Sequence, residues 1–506
     1  MNPKCKKIRE KHSPSLSSLS SSSSSSSSTT TTTRQKNDDD CNNNSMMEKR
    51  GLARRIARSI CFAVVVFVSS FSPAPFSLAK KNDFVETLEV LKNTPSSRTT
   101  CLPSDAFVRV SGDQFTLANR PFTFAGWNQW EVVEASSNAP PPYRWTPKLG
   151  IEHVVTQLDR AVSSGLKVVR IWVHPITEGY ALRPTKTTWN EKALRGLDFF
   201  LSECEKREIK VVLVLADNWY ATGGIKEYCA WSKTCRDQSE FFTDQEAQEY
   251  YKETINYLTY RTNSITKRRY RDDPTIMAWN LANEARAKRK PKEDMGRWIE
   301  SSCKYLKQKA PNHLVSVGYE GFLDDSRRSD ADFMNPGKGG GRWAGREGQD
   351  FLSQVVESSC VDYAAIHVWP DAWDVETPEF QKQFILNRAK LVNGKKPFVL
   401  EEFGIIVGKS SEERKRDMKK RDLYFKNAFE TTEKLAKEKK ISGSMFWHFY
   451  DEGVGPGRFG VRTSDVSTWK LIENHAKFMA ALSGLQTSCP VLDDEQRVVS
   501  ASSIII

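Results

Sequence analysis

Residues 279–284 (WNLANE) and 397–404 (PFVLEEFG) each carry an apolar run directly into a carboxylate. In a (β/α)₈ barrel, a polar residue at the carboxyl end of a parallel strand lies in the mouth, whereas the strand interior fills the core. Cleavage of a glycosidic bond needs one carboxylic acid to protonate the leaving oxygen and one carboxylate to meet the charge that develops on the sugar. The two segments therefore predict a pair of catalytic carboxylates at a barrel mouth.

Eight apolar runs of strand length alternate with helical stretches along the chain. The runs are 122–127, 167–173, 210–216, 275–281, 314–319, 361–367, 397–402 and 442–447. Amphipathic segments lie between them, at 190–206, 245–261, 295–308, 378–392 and 412–439. This alternation predicts parallel strands joined by crossover helices. We therefore expect the α/β class, as one (β/α)₈ TIM barrel over residues 80–485.

Polar or aromatic residues stand at the ends of most of these runs. They are Arg170 in the second run, Asp217, Asn218 and Trp219 after the third, Asn283 and Glu284 after the fourth, His367 in the sixth, Glu402 in the seventh and Trp447 in the eighth. One such residue alone is commonly a loop hydrogen-bonding group. Because parallel strands end on one rim, the whole set predicts a shared site.

The amino-terminal part of the chain has a different composition. Residues 1–48 are rich in Ser and Thr and cannot bury a core, so disorder is predicted. Residues 49–79 pass from basic to apolar to small residues, the order of a secretory signal. We expect cleavage after Ala79 and secretion; the alternative is an uncleaved type II membrane anchor. Residues 486–506 form a carboxyl-terminal tail.

The net charge of +12 is concentrated near the amino terminus. Residues 1–79 carry 12 Lys and Arg against 5 Asp and Glu, which leaves +5 for the rest of the chain. No nucleic-acid module is recognisable, so an ordinary solvated surface is expected. The sequence has no CxxC pair and no His-rich cluster, and neither a metal nor another cofactor is expected.

Seven of the ten cysteines follow residue 79, so one thiol stays free if the others pair. Cys229 and Cys235 flank a short loop that a disulfide could close. Cys101 and Cys489 could join the two ends of the barrel domain. Neither pairing follows from the sequence itself.

An ordered set of short motifs runs from about residue 107 to 482. The motifs are 126–128 (GWN), 170–172 (RIW), 217–219 (DNW), 223–224 (GG), 241–243 (FFT), 270–276 (YRDDPTI), 361–363 (VDY), His367, 370–373 (PDAW), 402–404 (EFG) and 446–447 (FW). Together they resemble glycoside hydrolase family 5 and, within it, the endo-β-1,4-mannanases.

The resemblance implies a retaining double displacement. Glu284 would protonate the leaving oxygen and later deprotonate water, while Glu402 would attack the anomeric carbon. Arg170 would keep Glu402 ionised, and Glu284 would hold its proton through a raised pKa.

The resemblance also implies a set of sugar-binding residues. Asn283 would bind the sugar 2-hydroxyl, His367 would line the same subsite, and Trp447 would form its floor. Asn218, Trp127 and Trp219 belong to the expected binding set, and Trp231 and Trp373 are further candidates. Each of these four tryptophans could instead be a packing residue of a loop.

Glu401 and Glu402 compete for the role of nucleophile, because adjacent strand residues face opposite sides. The family places its nucleophile directly before Phe-Gly, which selects Glu402 and leaves Glu401 a structural hydrogen bond or ion pair.

Two residues depart from the family pattern. Trp369 stands where a tyrosine usually donates to the nucleophile, and an indole donates through N–H alone. Ala285 replaces the usual proline after Asn-Glu. Trp369 thus puts the rate and the substrate in question.

Three functional hypotheses remain open. The first is a secreted, monomeric endo-β-1,4-mannanase acting on mannan, glucomannan or galactomannan. The second is a family 5 enzyme that acts on another β-linked glycan or transfers glycosyl groups. The third is a carbohydrate-binding protein without activity, against which the retention of both carboxylates argues. No nucleic-acid partner is expected.

Overall fold

Eight parallel strands form a nearly closed barrel in this computed structural model, which describes residues 106–138, 150–173, 181–219, 223–337, 343–408, 410–449 and 458–483. A small antiparallel sheet contains β1 (Val108–Ser111), β2 (Gln114–Leu117) and β3 (Arg120–Pro121), and the barrel contains β4 (Phe124–Gln129), β5 (Val168–Trp172), β6 (Lys210–Val214), β7 (Ile276–Asn280), β8 (Leu314–Ser316), β9 (Ala364–Val368), β10 (Phe398–Phe403) and β11 (Gly443–Phe446).

The barrel strands pair in the order β8-β7-β6-β5-β4-β11-β10-β9. The N–H of Asp362, just before β9, donates to the carbonyl of Val315 in β8 (2.9 Å) and links the two ends of the sheet. Each of the eight predicted strands is present, so the predicted TIM barrel is confirmed.

The antiparallel sheet closes the end of the barrel at which the strands begin. Phe115 and Phe122 contact the ring of Phe124 at the start of β4, with centroids 6.2 and 5.6 Å apart. These residues form one buried cluster with interior side chains such as Val168 and Met445. This sheet was not expected from the sequence. The opposite end, where the strands finish, is left for the site.

Nine α-helices lie in the described ranges. They are α1 (Val132–Ser136), α2 (Ile151–Ser163), α3 (Glu191–Lys206), α4 (Ile225–Trp231), α5 (Gln245–Tyr260), α6 (Lys292–Lys309), α7 (Pro378–Val392), α8 (Ser411–Lys437) and α9 (Val466–Leu482). The five predicted helices are confirmed as α3, α5, α6, α7 and α8. Local capping fixes their starts: Ser410 and Glu413 form a capping box before α8, and Thr377 caps α7, which opens with proline.

Two disulfides join described cysteines. Cys229 and Cys235 are bonded, as the sequence suggested, and a second bond, which was not anticipated, joins Cys303 in α6 to Cys360. Cys204 is a buried free thiol. The suggested Cys101–Cys489 pair lies outside the described residues, as do the expected leader and both terminal segments. Among the described helices, none combines the length and apolar character needed to cross a membrane.

Candidate active site

Glu284 lies just beyond β7, and neighbouring strands hold its backbone. The N–H of Asn283 donates to the carbonyl of Ala216 after β6, and the N–H of Glu284 donates to Gly318 after β8, each at 2.8 Å. Glu284 has a φ of +48°, a left-handed conformation uncommon for residues other than glycine. These bonds on both sides hold the carboxylate of Glu284 in the cleft, where it is only 5% exposed.

Glu402 lies in β10 at an irregularity of the sheet. The pairing of β10 with β9 shifts register between Leu400 and Glu402, so Glu401 is an extra residue in its strand. Carboxylates of both glutamates then reach Arg170, at 3.5 Å for Glu401 and 3.2 Å for Glu402. The expectation that the two would face opposite sides was wrong, because the bulge interrupts the alternation.

Glu401 nevertheless makes only structural contacts. Its carboxylate accepts hydrogen bonds from Asn280 Nδ2 (3.1 Å) and Tyr363 Oη (3.2 Å), inside the barrel. Burial favours its neutral form, but the charge of Arg170 and the hydrogen bond from His367 lower the pKa of Glu401. Glu401 is therefore an ionised residue beneath the site, and the predicted structural hydrogen bonding is confirmed.

Arg170, fully buried in β5, joins the strands of the site. Its guanidinium donates to Asn128 Oδ1 (3.0 Å), to Glu402 Oε2 (3.2 Å) and to Asn283 Oδ1 (2.8 Å). The guanidinium also lies 4.7 Å from the ring centre of Trp172. These contacts bring β4, β5, β10 and the loop after β7 to one point.

Asn283 is held in a single orientation by two partners. Its side-chain oxygen accepts from Arg170, and its nitrogen donates to Asp217 Oδ1 (3.1 Å). Asp217 in turn accepts from Trp172 Nε1 (2.7 Å). The amide at the predicted 2-hydroxyl position is therefore fixed before any sugar enters.

The carboxylate of Glu284 has a donor on each oxygen. Trp219 Nε1 donates to Oε2 (2.7 Å), and His367 Nδ1 lies 2.9 Å from Oε1. The same nitrogen of His367 is 3.7 Å from Glu402 Oε2. One ligand-type atom from each of Glu284, His367 and Glu402 lies within 4.8 Å of the others. The imidazole therefore stands between the two predicted catalytic carboxylates.

Burial and charge shift the pKa values of these groups. Burial disfavours a charged imidazole, but Glu402 and the hydrogen bonds to Glu284 and Glu401 raise the pKa of His367 to about 10. Burial and the charge of Glu284 raise the pKa of Glu402 to about 8, against His367 and Arg170. For Glu284, burial is outweighed by the hydrogen bond and charge of His367, and its pKa is lowered.

The pKa order of Glu284 and Glu402 in the free site is thus the reverse of the order expected from the sequence. The buried cations Arg170 and His367 face the three carboxylates of Glu284, Glu401 and Glu402, so a single shared proton balances the charges of these five side chains. Such a proton belongs to the coupled group rather than to one residue. The sequence did not reveal this order, because burial and the charge of Glu284 raise the pKa of Glu402 and the charge of His367 lowers the pKa of Glu284.

Comparison with known proteins identifies the family. Residues 105–338 and 337–470 match the profile described as GH family 5 beta-mannosidase-like. The chain belongs to glycoside hydrolase family 5. It is 31% identical over 372 residues to mannan endo-1,4-beta-mannosidase 7 of Arabidopsis thaliana, covering 70% of this chain and 80% of that protein.

Two further relatives of this family 5 hydrolase agree over most of its length. Mannan endo-1,4-beta-mannosidase 1 of Solanum lycopersicum is 30% identical over 401 residues, 76% of this chain and 94% of that protein. The structure of an endo-1,4-beta-mannanase from Rhizomucor miehei superimposes with a TM-score of 0.61 at 26% identity, covering 74% of this chain and 99% of that one.

Trp369 contacts the nucleophile position of this family 5 hydrolase directly. Its Nε1 donates to Glu402 Oε1 (2.9 Å). Its ring meets Trp447 and Phe459 edge to face, with centroids 6.4 and 5.1 Å apart. A Cβ at Gly404 would lie 2.6 Å from the indole, so only glycine fits there. The tryptophan thus supplies the donor that a tyrosine usually supplies in the family.

Two residues predicted to bind substrate have other partners. Trp127 is fully buried in the outer cluster between strands and helices, because alternation along β4 directs Asn128 inward and Trp127 outward. Trp127 is therefore not a cleft residue, and that prediction was wrong. Asn218 Oδ1 accepts a hydrogen bond from Gln238 Nε2 (2.6 Å). This bond joins the start of the loop after β6 to a later part of the same loop.

The remaining predicted aromatic residues divide into two groups. Trp447 is half-buried and meets Trp172 edge to face (5.3 Å), and Trp219 is 45% exposed beside Glu284. Both are at the site. Trp373 is buried against Phe322, and Trp231 packs on Tyr228, so these two are packing residues.

Arg286 is a site residue that the strand-end pattern could not reveal. It lies 5.1 Å from the ring centre of Trp219, pairs with Glu320 (2.5 Å), and its charge lowers the pKa of Glu284. Because Arg286 follows Glu284 in the loop, no apolar run marks it. Asn128 was within a noted motif, but alternation alone does not tell which of Trp127 and Asn128 faces inward.

Proposed function

We propose that this family 5 hydrolase is a retaining endo-β-1,4-mannanase. The observation that carries the mechanism is the short separation of the carboxylates, with an oxygen of Glu284 within 4.8 Å of an oxygen of Glu402. Retaining enzymes hold their two carboxyl groups about 5–5.5 Å apart, whereas inverting enzymes leave about 6.5–9.5 Å for a water molecule. The observed spacing supports direct attack by a carboxylate.

In the proposed first step, ionised Glu402 attacks the anomeric carbon as Glu284 protonates the leaving oxygen. The glycosidic bond breaks, and an ester between the sugar and Glu402 forms. In the second step Glu284 removes a proton from water, and that water displaces Glu402. Asn283 would bind the 2-hydroxyl, where a hydrogen bond strengthens as positive charge develops on the ring.

The first step requires the shared proton on Glu284, although the free site favours Glu402. His367 offers the route, because its Nδ1 lies 2.9 Å from Glu284 and 3.7 Å from Glu402. The imidazolium would pass its Nδ1 proton to Glu284 and take the proton of Glu402 in exchange. No net charge would then be created in the buried site.

Mannan is the substrate class that the relatives favour. The relatives from Arabidopsis thaliana and Solanum lycopersicum and the Rhizomucor miehei structure are all described as endo-acting on β-mannan. A glucomannan or galactomannan would present the same β-1,4-linked backbone to the cleft.

One observation favours a second candidate function. Trp369 stands beside Glu402 in place of the family tyrosine. Its ring packs edge to face on Trp447 and Phe459, so aromatic side chains line this part of the site. A drier site would disfavour water in the second step and favour an acceptor sugar, which is transglycosylation. The same change would also alter the fit for another β-linked glycan. A protein that only binds carbohydrate would need no buried shared proton.

The deciding assay compares hydrolysis of mannan, glucomannan, galactomannan and cellulose by the full chain and by Glu402→Gln. We expect activity on the mannans, a loss of about a thousandfold or more in the variant, and a β-anomer as the first product by NMR. A first product of the α-configuration would overturn retention. Activity on cellulose alone would exchange the proposal for the second candidate.

We also propose that the protein is secreted, on the basis of residues 49–79. Sequencing the amino terminus of the exported protein tests this. Lys80 as the first residue supports cleavage, whereas an intact leader supports the membrane anchor.

A further inference from the structure

An open groove of about 430 Å³ lies on the outer wall of the barrel. It is bounded by α5, α6 and the segment that leads into α3. None of its lining residues belongs to the catalytic site, and the proposed mechanism uses none of them. The groove therefore calls for an explanation of its own.

A buried arginine builds one side of the groove. Arg183 is 2% exposed and donates to the carbonyl of Tyr250 (2.7 Å) and to Thr254 Oγ1 (2.9 Å) of α5. It also pairs with Glu253 at 2.5 Å. Its Nε is buried and has no hydrogen-bond partner among the described residues. A guanidinium so enclosed gives the groove a fixed wall with one unused donor.

Three aromatic residues, Trp189, Tyr257 and Tyr305, also line the groove. Trp189 stacks on Tyr257 with ring centroids 3.6 Å apart and planes 7° from parallel. The guanidinium of Arg183 lies 5.1 Å from the ring centre of Trp189, so this indole is held between two neighbours. Tyr257 on α5 and Tyr305 on α6 are both half-buried, and both line the groove. The two helices therefore present a tyrosine ring each to the same space.

The charges of the groove are largely paired with each other. Lys252 binds Glu249 at 3.0 Å, and Arg183 binds Glu253. Lys186 lies 5.6 Å from the ring centre of Tyr250. A site for a phosphate or a nucleic acid would need several unpaired cations. Paired ions and aromatic rings instead suit an uncharged ligand with many hydroxyl groups.

We propose that this groove binds a β-1,4-linked hexose chain of the polysaccharide at a second site, apart from the catalytic cleft. A hexose ring has apolar C–H faces that can lie against Tyr257 and Tyr305, and its rim of hydroxyls can bond to Asn256 and the paired ions. This inference rests on the proposed function, because the polymer is the substrate class assigned there. The groove would hold the enzyme on the polymer while the cleft cuts it.

The test uses the full chain with Glu402→Gln, so that bound polymer is not degraded. Binding isotherms on insoluble β-mannan are measured with and without Tyr305→Ala or Asn256→Ala. We expect Tyr305→Ala to weaken binding about fivefold to tenfold, as for loss of one aromatic contact. Tyr260→Ala is the matched control, because Tyr260 is 44% exposed on α5 but does not line the groove.

The same substitutions are then made in the active chain. Tyr305→Ala should lower kcat/KM on insoluble mannan and leave hydrolysis of mannotetraose unchanged. Asn256→Ala, an exposed change with little bearing on folding, should act in the same direction. If both variants bind and hydrolyse insoluble mannan as well as Tyr260→Ala does, the inference is overturned. A groove that serves a protein partner instead would give this result. Failure of the unaltered chain to cut any mannan would instead overturn the proposed function.

Discussion

At the scale of single residues, Trp369 holds the carboxylate of Glu402, the proposed nucleophile. Its N–H is the donor to Glu402 Oε1, and both side chains are buried. Trp369→Phe should lower kcat by about 10–100-fold, since a hydrogen bond to a charged group contributes about 1.5–3 kcal/mol. Steady-state kinetics on the preferred mannan measure the loss.

Trp369→Tyr is the matched variant, because it restores a donor and the side chain usual in the family. We expect its activity to lie between those of the unaltered chain and Trp369→Phe. Equal activity of the phenylalanine variant and the unaltered chain would show that the indole N–H is not used.

The shared proton predicts the pH dependence of the reaction. Raised to about 8, the pKa of Glu402 marks the pH at which the coupled site loses its proton. Above this pH Glu402 has no proton to return to His367, so Glu284 could be protonated only by leaving His367 neutral, and kcat/KM should fall. At acid pH the lowered pKa of Glu284 lets a second proton bind only well below neutrality. A profile of kcat/KM from pH 3 to 10 should therefore show an alkaline limb near about 8.

The assignment of the acid limb to Glu284 can be tested with Arg286→Gln. Arg286 lowers the pKa of Glu284 by its charge and makes no contact with Glu402 in the described structure. The acid limb should move to higher pH in this variant, while the alkaline limb stays within about half a unit. Movement of the alkaline limb alone would contradict the assignment of the acid limb to Glu284.

At the scale of elements, the turn after β8 holds the backbone of Glu284, the proposed acid/base residue. Gly318 has a φ of +81°, and its carbonyl accepts the N–H of Glu284. A Cβ there would collide with the side chain of Asn280 and the carbonyl of Ala282. Gly318→Ala should therefore cost about 1–3 kcal/mol of unfolding free energy and also lower kcat, because Glu284 would shift.

Gly296→Ala provides the control in urea unfolding and kinetics. This glycine lies within α6, and the nearest atom to an added Cβ is Gln354 Cγ at 3.8 Å. Alanine should stabilise the helix by about 0.5–1 kcal/mol and leave kcat unchanged. Comparison of the two variants thus distinguishes the general effect of alanine on stability from the effect of strain in the turn at Gly318.

Strands and strand ends could be predicted because the buried barrel strands contain short apolar runs that end in polar residues. The failures occurred where a local rule gave way to pairing between distant segments. The bulge at Glu401 depends on the register of β10 against β9, which no single segment encodes. The inward position of Asn128 follows from alternation, but the choice of face depends on the neighbours of β4. Arg286 and His367 act through charges that only the assembled cleft brings together.

At the scale of the whole molecule, the barrel could be predicted from the number and spacing of its strands. The antiparallel sheet at its end and the second disulfide could not. The antiparallel sheet beneath the barrel consists of short strands with few apolar residues. The bond between Cys303 and Cys360 spans 57 residues, and several partners were equally consistent with the sequence. Long-range pairings of this kind appear only once the chain is folded.

The stability of the molecule should depend on pH through two buried glutamates beside β4. Glu131 and Glu134 are each 1% exposed, and neither oxygen of Glu134 has a hydrogen-bond partner in the described structure. Burial raises the pKa of Glu131 to about 7, and burial with the charge of Glu131 raises that of Glu134 to about 8.

Between pH 4.5 and about 8 the native state thus binds more protons than the unfolded state, so stability falls as pH rises through this window. Glu134→Gln should remove on the order of 2–4 kcal/mol of that fall. Urea unfolding at pH 4.5 and 8.5 measures it: the variant should match the unaltered chain at pH 4.5 and exceed it at pH 8.5. Glu430→Gln, an exposed change on α8, should follow the unaltered chain at both values. A fall of the same size in Glu134→Gln would mean that Glu134 is not the group being titrated.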